Sequence, residues 1–160
     1  MSTPEFDPEI TPEGALRAFH DHLIAKATAA RLKYGLYIDA EAIVKMLDDR
    51  EVVRYPTTLL FDASPLEAHE FAYPQPLGFH PSDGFALCVH PAFRGQPENL
   101  PLLVAYHIPA INYGSMADAE GGELYGATLV GLTVEAYYQA LCELADSIGA
   151  VAVAVRSENL

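Results

Sequence analysis

Between Asp62 and Gly84 the chain carries Pro65, Pro74, Pro76, Gly78 and Pro81. No helix of ordinary length can run through such a stretch, because each internal proline removes a donor and clashes with the preceding turn. The Pro-Ser-Asp-Gly run at 81–84 is a turn sequence. A loop this long without structure is uncommon in a compact domain, and a short strand through Phe71–Tyr73 relieves the difficulty. All twelve prolines considered, their spread through the middle indicates many turns and not one linker.

On either side the patterning is clearer. Thr11 offers an N-cap, Pro12 suits the first helical position and Glu13 favours the dipole. Leu16, Phe19, Leu23, Ala27 and Ala30 then recur at helical spacing, predicting a helix to about Leu32 that Gly35 ends. Asp39 caps a shorter helix with Ile43, Met46 and Leu47 on its apolar face, stopping near Asp48 and Asp49. Val52–Phe61 is β-rich, with Pro56 marking an edge or a late strand entry.

The Phe85–His90 run is the clearest strand: Phe85, Leu87 and Val89 share one face, Ala86, Cys88 and His90 the other. Leu100–Tyr113 admits helix or strand, and a helix kinked or ended near His107 by Pro109 is expected. Residues 118–131, with Gly121, Gly122, Gly126 and Gly131, are expected to be helical despite the glycines. Thr133 caps a helix bearing Tyr137, Leu141, Leu144 and Ile148, which Gly149 should end before a last strand over Ala150–Val155. The fold expected is α+β: a single compact domain over residues 11–160, a small sheet packed against several helices, after a flexible N-terminal arm at 1–10.

Charge removes whole classes of function. The net charge is −13, from nine Lys and Arg against 22 acids, and no cation stands between Arg94 and Arg156. Nucleic acids and anionic membranes are held largely by basic patches, so neither partner is expected. The N-terminus lacks a basic and apolar leader pattern and no apolar run reaches spanning length, which points to a cytoplasmic protein. Cys88 and Cys142 lack metal-ligand spacing and read as reduced core residues.

Six histidines carry the remaining chemistry. His20 and His22 on one helix point about 200° apart and cannot share a metal. His69 and Glu70 begin a zinc-peptidase pattern, but Tyr73 stands where the second His belongs. His80 precedes Pro81 and reads as a loop residue. His90, at a strand end, and His107, in an apolar run, are the stronger catalytic or metal candidates, with Glu70 as a third catalytic candidate.

The stretch His-Ile-Pro-Ala-Ile-Asn-Tyr-Gly at 107–114 keeps the His and Gly of HExxHxxG, and a Glu-bearing segment follows at 119–131. This resembles gluzincin-type zinc peptidases. Ile108 replaces the general base and Ile111 the second ligand, so the resemblance implies a peptidase-like fold that has lost its zinc site. It leaves His107 as a ligand, with Glu120 or Glu123 as third-ligand equivalents.

Two functions follow as expectations. One is a non-catalytic binding domain engaging a protein partner or a second copy, the latter through residues 118–148. The other is a small metal-dependent hydrolase whose cleft gathers His90 and His107 with Asp62, Glu67, Glu70 or Glu120 around a divalent metal.

Overall fold

The computed structural model describes the backbone of residues 11–158 and the side chains of residues 11–148; the expected arm at 1–10 lies outside this range. Helix α1 (Pro12–Tyr34) begins where Thr11 Oγ1 accepts the Gly14 N–H at 3.0 Å and ends at Gly35, whose φ of 108° suits only glycine well. Leu23, Ala27 and Ala30 are its buried residues, whereas Leu16 is exposed. Helix α2 (Ala40–Leu47) is capped by Asp39, whose Oδ1 accepts the Ala42 N–H at 2.8 Å, and buries Ile43, Met46 and Leu47.

Three strands follow: β1 (Thr57–Phe61), β2 (Ala72–Pro76) and β3 (Phe85–Val89), in the order β1-β3-β2. β3 pairs parallel to β1 and antiparallel to β2. Its central place explains why residues 86–89 are all buried, where alternation alone would bury every second one. Strand β2 begins one residue later than expected and ends three later, so that it includes both Pro74 and Pro76. An edge strand tolerates them, because a residue whose N–H would face solvent loses no ladder bond.

Helix α3 (Leu100–Tyr113) runs from Asn99 without a break at His107. Pro109 deprives the Ala105 carbonyl of its intrahelical donor, yet ten of the fourteen residues are buried, and packing on several sides holds the helix together. It lies against β2, β3, α2, α4 and α5. Helix α4 (Ala119–Val130) is possible among bulky neighbours because of its glycines. A Cβ at Gly122 would stand 2.9 Å from the Tyr106 carbonyl oxygen, and one at Gly126 would overlap the Tyr137 ring. Gly131, in the left-handed region at φ 78°, closes it.

Helix α5 (Val134–Glu158) starts where Thr133 Oγ1 accepts the Ala136 N–H at 3.1 Å. Gly149 does not end it, and residues 150–155 continue the helix instead of forming a strand. A helix already several turns long extends at little cost, one glycine weakens it by only about 1 kcal/mol, and the alternating alanines are the best helix formers. The largest apolar cluster joins Leu23, Ile43, Met46, Leu87, Val89 and Ile108 across α1, α2, β3 and α3. Both cysteines are free, Cys88 buried and Cys142 half-buried. Among the described residues no helix is long and apolar enough to cross a membrane.

Candidate metal centre

Helix α4 enters the fold beside the first half of α1. The approach is close: a Cβ at Gly121 would come within 2.9 Å of Leu23 Cδ1. Asp118 is the α4 N-cap, and its Oδ1 accepts the Gly121 N–H at 2.7 Å. The same oxygen faces His20 Nε2 across the helix pair at 3.4 Å. Glu120 stands in the first turn of α4, where a carboxylate also favours the helix dipole.

His20, Asp118 and Glu120 each offer a ligand atom, and these atoms all lie within 4.8 Å of one another. Two ligands about 2.1 Å from a tetrahedral metal sit about 3.4 Å apart, the spacing already present between His20 and Asp118. One nitrogen and two carboxylate oxygens suit Zn²⁺ or Mn²⁺ better than an all-oxygen cation site would. The His20 side chain is 12% exposed and that of Asp118 44%, so the set sits at the rim of the helix pair.

The local field is acidic. Burial raises the Asp118 pKa, but the Gly121 N–H and the His20 ring together outweigh it and hold the carboxyl below its usual range. Glu123, one turn beyond Glu120, is pushed up by burial and then by the charges of Glu120 and Asp118. A cation among these groups relieves that crowding.

The histidines singled out by sequence are placed differently. His107 is 7% exposed, its Nδ1 lies 2.9 Å from the Leu103 carbonyl oxygen, and its ring packs edge-on against Phe71 and Tyr106. Burial lowers its pKa, against the backbone carbonyls of Leu103 and Ala72 and the Glu70 charge, which favour the proton. His90 leaves β3 and caps a short 3-10 turn, its Nδ1 accepting the Ala92 N–H at 3.1 Å. Glu70 Oε1 accepts the Glu67 N–H at 2.7 Å within the loop. His90, His107, Glu70 and Glu123 stand outside the set of three, which is the one such set among the described residues.

A His/Asp/Glu set able to coordinate a divalent metal is therefore present. Of the ligand candidates that the sequence offered, it contains Glu120. Its histidine is His20 and not His107. The expected divergence of His20 from His22 holds: His22 Nε2 meets the Tyr113 hydroxyl at 2.8 Å while His20 turns to Asp118. Sequence reasoning passed over His20 because its partner lies 98 residues away. The usable signal was Asp-Ala-Glu at 118–120, a cap and a first-turn acid on one helix end. Compared with family models, curated proteins and solved structures, the chain matches none.

Proposed function

We propose that this chain is a non-catalytic binding domain that takes up a divalent metal at His20, Asp118 and Glu120. The reading rests on one observation, the convergence of three ligand atoms of suitable chemistry from two separate helices. A metal there would clip α4 to α1 and add its binding free energy to the folded state. Asp118 and Glu120 are exposed, whereas catalytic sites are usually concave and bury their substrates. This supports binding over turnover. The exposed Leu32 in the last turn of α1 and Leu36 and Tyr37 just beyond it support engagement of a protein partner.

Isothermal titration of chelator-treated protein with Zn²⁺ and Mn²⁺ tests the metal. One saturable site is expected, weakened at least about tenfold in His20→Ala and in Glu120→Gln. Asp118→Asn keeps the helix cap while removing the charge, so its loss of affinity separates coordination from folding. Equal affinity in all three variants and in the unaltered chain would overturn the reading.

A further inference from the structure

A chain of net charge −13 has few cations to place, and it places four of its nine around one hollow. Lys26, Lys33, Arg50 and Arg54 line a cavity of about 630 Å³ between α1, the 50–54 segment and the end of α3, with Glu51 as the single carboxylate in the lining. That volume falls in the range of small-molecule sites, roughly 300–1,000 Å³.

The hollow is built rather than incidental. Asn112 Nδ2 donates to the Val52 carbonyl at 2.9 Å and Asn112 Oδ1 accepts the Arg54 N–H at 2.8 Å, which fixes the 52–54 segment on the end of α3. Arg54 then donates through Nη1 to the Asn112 carbonyl at 3.2 Å, with its guanidinium 5.5 Å from the Tyr113 ring centre. Arg50 donates to the carbonyls of Val53 and Leu47. These bonds orient the guanidinium groups, but carbonyls do not neutralise them.

Lys33 is the one cation of the four with carboxylate partners, at 2.7 Å to Asp49 and 3.2 Å to Glu51. Among the described residues Lys26, Arg50 and Arg54 make no ion pair. Ala30, Val52 and Tyr125 are buried and form an apolar floor, and adjacent Ala29 keeps the space open.

We propose that this hollow binds a small organic anion, a carboxylate or phosphate group carried on a flat apolar body. The cations take the charged group and Arg54 can still offer its free guanidinium edge. The floor of Ala30, Val52 and Tyr125 takes the apolar part. This site shares α1 with the metal centre but none of its residues, so each can fail without the other.

The test is an amide NMR titration of the full chain with phenyl phosphate, benzoate, inorganic phosphate and phenol. Saturable shifts at Lys26, Arg54, Asn112 and Tyr113 are expected with phenyl phosphate or benzoate, and the tighter of the two names the charged group. Inorganic phosphate and phenol, each lacking one half of the ligand, should bind more weakly. Lys26 is exposed and without an ion-pair partner, so its variants should fold normally. K26Q is expected to weaken binding about fivefold and K26E further, while His20→Ala leaves it unchanged. Affinity should fall with added salt. The proposal is overturned by the absence of saturable shifts with either aromatic anion, by inorganic phosphate or phenol binding as tightly, or by unchanged affinity in K26E.

Discussion

His107 on α3 and His20 on α1 are both largely buried, yet they meet different company. His107 faces the Leu103 carbonyl and two aromatic rings, so its environment favours the neutral ring and occupies it structurally. His20 faces Asp118 at the mouth of a helix pair, with Glu120 near by. The depth of a histidine says little about its use. What matters is whether the groups around it compete for its lone pair or can share a cation with it.

That contrast can be broken most severely at His107. His107→Ala should cost about 2–4 kcal/mol of stability in urea denaturation through cavity formation and lost contacts, with Zn²⁺ affinity essentially unchanged. Loss of metal binding in that variant at intact stability would reverse the assignment of the two histidines. His20→Ala should give the opposite pattern: at most about 1 kcal/mol of stability in metal-free protein, but the loss of the rise in Tm that excess Zn²⁺ gives the unaltered chain.

A smaller effect sharpens the comparison through pH. Burial disfavours the charged His107 ring in the folded state only, so below the unfolded value of about 6.5 the unfolded chain binds the extra proton. Stability is therefore fully present above that pH and is lost as pH falls through it, by up to about 1.4 kcal/mol per unit until the folded value is passed. Denaturation at a series of pH values should show this slope, and His107→Gln should flatten it. An unchanged slope in His107→Gln would place the titrating group elsewhere.

The smallest expected effect is at Glu70, whose charge reaches His107 without a bond between them. Glu70→Gln retains an acceptor for the Glu67 N–H. It should lower the His107 pKa further in NMR titration, with stability at neutral pH within about 0.5 kcal/mol.

Local signals carried most of the fold. Thr11, Asp39 and Thr133 mark helix starts through their own side chains, and Gly35 and Gly131 mark ends through backbone conformations other residues avoid. Pro109 and Gly149 misled for one reason: each weakens a helix locally, while the decision was made by burial around α3 and by the length of α5. The metal centre was half legible. Glu120 could be picked from its segment, but His20 gains meaning only from Asp118, and a contact across that sequence distance leaves no trace in spacing or periodicity. The cationic hollow was hidden in the same way, since its four cations are scattered from residue 26 to residue 54 and meet only after α1 folds against the 50–54 segment.

The two edges of the sheet differ in what they offer a stray chain. On β2, Tyr73 and Gln75 share parity with Leu77, whose N–H bonds to the Gly84 carbonyl, so Pro74 and Pro76 occupy the outward positions. That margin has given up two of its three donors, keeping only the Ala72 N–H, and is a poor template for an added strand. On β1 the Pro56 carbonyl and the Asp62 N–H both bond β3, so the even positions face inward and the outer margin keeps amide donors at Leu59 and Phe61. When heat or acid loosens this protein, fibrillar growth or strand exchange through the sheet has its entry at β1, and a proline placed there would close it.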